Sequence, residues 1–273
     1  MSPRPVVHIH VDLLALQANF FRQLQHQLDV AKVLQVGCAH VSEQQVADQR
    51  DFGTFVPADG AQLGHEDARA QAQDWVLRGF LRDAIEATGL FLDECLQVCE
   101  LLPLAVRTEE NEAEIQRLLH ELPLPNHRLH FPQKLEKLRR QFGVFTRFDP
   151  HLLSINKART CVVHRLGVTS PMDVDDKGAL TITLHHVQFV LRGLDSGEET
   201  VFDRAGMVTT ERSSLGLRFV DRERSFQLGE RVRLEARDMY DTIITLWRFG
   251  LEMAQAIERH GRSMGIEFPV ETS

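Results

Sequence analysis

The sequence predicts a mainly α-helical fold with a small β insertion ahead of a closing helix. Three observations carry this. Apolar residues recur at steps of three and four over Leu77, Phe80, Ala84, Ala87, Phe91, Cys95, Val98 and Leu102, the spacing of one face of a long helix. Tyr240, Ile243, Trp247, Leu251, Ala254 and Ile257 repeat that spacing near the C-terminal end. Between them, Leu180–Leu184 and Val187–Leu191 alternate with period two, as strands do. The chain has 273 residues, 43% apolar and 26% charged, enough to bury a full core. Its composition is not that of a disordered, collagenous or rod-like protein.

Each element has a local reason. Leu14, Phe21, Leu24 and Leu28 share one face of a helix over roughly residues 10–36. The long stripe from Leu77 runs to Leu102, where Pro103 is placed to end it. A Glu-rich helix is expected around Glu109–Leu119, stopped before Pro123 and Pro125. Pro132 in a first turn and Gly143 past the end bracket another, to Phe142. Asp149-Pro150 reads as an N-cap followed by proline, opening a helix that turns Leu152, Ile155, Ala158 and Val162 inward and ends before Gly167. In the β stretch the phase slips at His185-His186, which predicts a bulge or bend. Phe226, Leu228, Val232 and Leu234 suggest short strands around Gly229-Glu230. The organisation expected is an N-terminal helical region (1–125) and a second region (126–273) that holds the β insertion at roughly 170–234 and the closing helix.

The net charge of −8 argues against a surface that grips polyanions all round. The charge is nevertheless segregated. Glu66–Glu121 is strongly acidic, whereas Arg128–Arg165 is basic, through Lys134, Lys137, Arg139, Arg140, Arg147, Lys157, Arg159 and Arg165. The basic stretch reads either as a solvated helix face or as a footprint for nucleic acid. The acidic face (Asp83, Glu86, Asp93, Glu94, Glu100) is a candidate docking side for a protein partner.

Several signatures are missing. There is no P-loop, no dinucleotide-binding glycine motif, no G-x-S-x-G elbow and no H-E-x-x-H. His8-Ile9-His10 has a spacing seen in metal hydrolases but lacks the alternating β/α pattern that such a site needs. Cys95 and Cys99 fall on the core stripe and read as buried thiols. Asp173, Asp175 and Asp176 read as a turn, and His185 and His186 as strand neighbours facing opposite sides that cannot share one ion. No metal or cofactor is expected. The N-terminus shows no signal-peptide core, no stretch approaches a membrane span, and the four cysteines include no C-x-x-C pair and no zinc-ribbon spacing, so a cytoplasmic protein with reduced thiols is expected.

One segment carries coherent chemistry: Arg159-Thr160-Cys161-Val162-Val163-His164, at the end of a helix in the basic stretch. A histidine exchanges protons near neutrality, and an arginine holds the charge that develops on a phosphoryl group. Five steps of an ideal helix leave the two side chains about 140° apart, so they converge only across two helices or where the helix unwinds. By spacing alone they also read as a C-terminal capping histidine and a surface ion-pairing arginine.

Arg159 and His164, with Gly167-Val168 following, resemble the R-x(4–6)-H motif of the HEPN superfamily. The resemblance extends more weakly over roughly residues 130–260, through the basic helix, the β excursion and the closing helix. It implies a helical bundle and a metal-independent endoribonuclease, a phage-defence or toxin–antitoxin effector that acts as a homodimer on RNA, with an antitoxin or defence protein as a further partner. On that basis Arg159 would steady the scissile phosphate and His164 would act as general acid or base. Thr160 and Asn156 would support them, and Lys157, Arg165, Arg139 and Arg140 would contact phosphates. Thr160 stands where the motif often has an amide or acid, and Arg165 where a small polar residue is frequent. The alternative is a catalytically inactive HEPN-like module for binding or dimerisation, partnering another protein or sensing a ligand.

Overall fold

A computed structural model describes residues 11–47, 63–106, 117, 120–121, 123–204 and 206–268. His8, His10 and most of the expected Glu109–Leu119 helix lie outside the described residues. The described chain is mainly α. It runs α1 (Leu13–His40), α2 (Glu43–Ala47), α3 (His65–Val106), α4 (Pro123–His127), α5 (Phe131–Phe142), α6 (Asp149–His164), β1 (Ala179–Gly193), β2 (Glu199–Val201), β3 (Ser213–Gln227) and α7 (Ala236–Ser263).

Helix α3 is the axle. Its predicted stripe is buried except for the partly buried Val98, and so is a second one through Val76, Leu81, Ile85, Leu92, Leu96 and Cys99, because other helices pack around it. Phe20 of α1 stacks on Phe91 of α3 with centroids 4.2 Å apart, and Phe91 meets Phe249 of α7 edge-on at 6.1 Å. These aromatic pairs add to the area they bury. One apolar cluster runs from Phe20 through α3, α5, α6 and the sheet to Ile257. Cys95, Cys99 and Cys161 lie in it, and all four cysteines are free.

Several boundaries differ from the sequence expectation. Pro103 does not end α3, which continues to Val106 with the proline one turn from its end. Pro123 and Pro125 lie in the first turn of α4, which has no use for their missing N–H groups. Asp149 is the first residue of α6, not its cap; its Oδ1 accepts from the Thr146 amide (3.1 Å) and hydroxyl (2.8 Å). Gly143 ends α5 with φ +66°, the left-handed cap that its place predicted.

The sheet departs most. β1 passes through His185-His186 without a break and pairs with β3 over all fifteen residues, from Ala179↔Gln227 to Gly193↔Ser213. The strand order is β2-β1-β3, and Leu228–Leu234 forms only the isolated bridge Val168↔Arg231. The opposite phases seen in sequence are two burial environments along one strand. Near its start Leu180, Ile182 and Leu184 face the core, while farther out the sheet emerges from the helices. Because β2 is short, the proximal edge of β1 is closed by helix hydroxyls: the Thr183 amide donates to Ser154 Oγ and the His185 amide to Thr245 Oγ1. In α7 the buried face is Met239, Leu246, Phe249, Met253, Ala256 and Ile257, with Asp238, Asp241, Thr242 and Thr245 buried beside them. Tyr240 and Trp247 of the expected stripe are exposed. Polar residues held by partners inside the core concealed the true face.

Candidate functional site

The two motif residues diverge within one chain. Arg159 leans toward α3, where its Nη2 lies 3.5 Å from Glu86 Oε2 and its Nε is buried without a partner among the described residues. With Asn156 it lines a cleft of about 240 Å³ against α3, beside Asp93, His127 and Lys134. His164, the last residue of α6, is exposed and does not line that cleft. Thr160 donates to the carbonyl of Asn156 at 2.9 Å, a bond within the helix.

The basic and acidic stretches face each other. Lys134 pairs with Asp93 at 2.7 Å, and Lys137 with Glu100 at 2.5 Å, so α5 engages two carboxylates of the acidic side of α3 while Glu86 and Glu94 stay exposed. Arg139 reaches Asp149 (3.1 Å), Arg140 pairs with Glu136 one turn away, and both line a groove of about 660 Å³ along α5. Arg165 grips Asp173 with both ends of its guanidinium, Nε to Oδ2 being 2.7 Å. Burial works to raise the Asp173 carboxyl, but bonds from Arg165 and Ser170 prevail and hold it below its usual range. Asp175 accepts from the Lys177 and Ala179 amides, which makes the aspartate cluster a turn, as the sequence indicates. Lys157 is half-buried.

A second constellation, not foreseen from the sequence, joins three elements. Asp221 of β3 sits opposite His185 of β1 in register, and directly opposed residues share a face of the sheet. His185 Nδ1 and His151 Nε2, the latter from α6, each lie 3.0 Å from Oδ1 of Asp221. Phe148 meets His185 edge-on at 5.0 Å, Phe219 stacks on it at 5.2 Å, and Phe148 also touches the His151 ring at 5.2 Å. Burial works to raise the Asp221 carboxyl, yet the hydrogen bonds from the two histidines outweigh it and keep the group low. These three side chains, with ligand atoms within 4.8 Å of one another, are the set that could hold a metal among the described residues.

His186 faces the other way, as strand alternation requires. Its Nδ1 lies 2.7 Å from Asp241 Oδ1, and Nε2 2.6 Å from Arg237. Arg222 bridges Asp238 (2.5 Å) and Asp241 (2.6 Å), fastening the hairpin to α7. The sequence reading that the two histidines cannot share an ion holds for that pair. It missed His185's real neighbours because β3 was not recognised; the alternation of Leu215, Leu217 and Phe219 was its available signal.

Beyond these sites, the same sheet face becomes bare. Val187↔Phe219, Phe189↔Leu217 and Leu191↔Leu215 form an apolar ladder in the distal half of the hairpin. Leu215 and Leu217 are 62% and 61% exposed, and β3 has no neighbour strand on its outer side among the described residues.

No described helix is long and apolar enough to cross a membrane. Comparison with protein-family models, with curated proteins and with solved structures returns no match.

Proposed function

We propose that this chain is a catalytically silent, HEPN-like association module of the cytoplasm, which pairs with a second copy of itself through the distal hairpin. The observation that carries this is the bare apolar ladder on an open-edged sheet. Three cross-strand apolar pairs beside an unpaired strand offer both buried area and backbone hydrogen bonds to a matching hairpin. The internal pairing of the basic stretch with α3 favours this reading over an RNA-gripping one. Arg159 then makes a weak, screened contact between α6 and α3.

A second reading is the metal-independent endoribonuclease, acting as a dimer on RNA. What favours it is that His164 stands free at the helix end while Arg159 lines a cleft with an unpartnered Nε, so a second protomer would be needed to complete the site.

Two measurements separate them. Light scattering on the wild type and on Leu217→Glu is expected to show a dimer that the charge disrupts; a monomeric wild type overturns the association reading. Incubation of cellular RNA with the wild type and His164→Ala, in EDTA, is expected to leave the RNA intact. Cleavage by the wild type alone would establish the ribonuclease and overturn the silent module.

A further inference from the structure

We propose that His151, His185 and Asp221 form a binding site for a divalent first-row transition metal ion of the zinc class. This does not rest on the association reading. The donors come from α6, β1 and β3, so the site exists only in the folded chain. Two imidazoles and one carboxylate suit zinc and its neighbours, whereas magnesium and calcium favour all-oxygen sets.

Two of the three donor pairs already stand near the separation of a loaded site, and all three donors lie within 4.8 Å of one another. Around a tetrahedral zinc with bonds near 2.0–2.1 Å, ligand atoms lie about 3.3 Å apart. Both imidazole nitrogens stand 3.0 Å from the same carboxylate oxygen, so small side-chain movements would admit an ion, with the proton of each ligating nitrogen moving to the outer nitrogen of its ring or leaving to solvent. The histidine rings are already fixed. Phe148 and Phe219 hold His185, and Phe148 holds His151, which limits the ordering that binding requires.

Asp221 is 52% exposed at the side chain, which leaves an entry path and room for water on the ion. Three protein ligands with a solvent-facing fourth position is the arrangement of an open site, not a closed structural one. Two features limit its strength. The outer nitrogens, Nδ1 of His151 and Nε2 of His185, are buried without partners among the described residues, so no acceptor orients them. Lack of such outer-shell support costs about 10–100-fold in affinity. Arg248 over the Phe219 ring (5.2 Å) and Arg147 over Phe148 (4.9 Å) add positive charge nearby, the latter balanced by Glu252 at 2.8 Å. Weakly held cations are thereby disfavoured.

The test uses the untagged full chain, stripped with EDTA and dialysed, then titrated calorimetrically with zinc chloride and spectroscopically with cobalt(II). One equivalent of each is expected to bind, with cobalt d–d absorption in the visible and a zinc-dependent rise in the thermal midpoint. Asp221→Asn, at an exposed position, is expected to keep the wild-type circular dichroism and lose about tenfold or more in zinc affinity. His151→Gln serves as the second variant, with the same expected loss. Failure of the wild type to take up zinc or cobalt overturns the proposal. So does unchanged uptake by both variants, which would place the ion elsewhere. Magnesium is expected to leave the midpoint unmoved; a response equal to that of zinc overturns the assigned metal class.

Discussion

Lys134 on α5 sets its ammonium 2.7 Å from Oδ1 of Asp93 on α3, with its side chain only 8% exposed. It also donates to the Gly89 carbonyl at 3.1 Å. Among the described residues, removing the ammonium leaves Asp93 with His127, at 3.2 Å. Lys134→Met is therefore expected to cost about 2–3 kcal/mol, somewhat below the range for breaking a fully buried pair. Urea unfolding checks this: the midpoint should fall while the slope is unchanged.

The Arg159–Glu86 contact should behave differently. Glu86 is mostly exposed, so the pair is screened. A double-mutant cycle of Arg159→Ala and Glu86→Ala is expected to give a coupling below about 1 kcal/mol. His164→Ala, at an exposed helix end, should change stability by less than about 0.5 kcal/mol. These values make the motif positions usable in activity assays, because loss of function there would not be loss of fold.

Gly250 lies in α7 where a Cβ would come 2.8 Å from Phe21 and 2.9 Å from Phe20. Both rings sit in or against the core, so neither can simply swing away. Gly250→Ala is expected to destabilise by about 1–3 kcal/mol despite its better helix propensity. A thermal melt that rises instead would show that α1 can slide along α7.

Asp173 gives a pH signature. Its folded carboxyl is held below the usual value, so its contribution to stability is complete above about pH 3.9. That contribution is lost as pH falls through the lower folded value. Asp173→Asn should cost about 2 kcal/mol at neutral pH by releasing Arg165 and the Ser170 contacts. Against the wild type, its stability should fall less steeply below pH 4, as acid titrations followed by circular dichroism would show.

The helices were legible where burial and hydrophobicity coincide. The stripe on α3 and the Pro132 and Gly143 boundaries of α5 are where spacing places them. Legibility failed where polar side chains are buried by virtue of partners distant in sequence. Asp238 and Asp241 turn the core face of α7 because Arg222 meets them there. Likewise His185 gains its meaning from Asp221, 36 residues away, and from His151 in another element. A long hairpin register is a tertiary fact, and single-sequence periodicity contains no term for it.

Cys95, Cys99 and Cys161 are wholly enclosed, and burial pushes their thiols upward, that of Cys99 to about 12. Cys38 on α1 is partly accessible. Electrophiles and oxidants act on thiolates, so three of the four sulfurs become reactive only during excursions in which α3 or α6 parts from its neighbours. A thiol-labelling time course on this chain is thus a clock with two hands. The fast one reports the surface, and the slow one counts how often the interior opens.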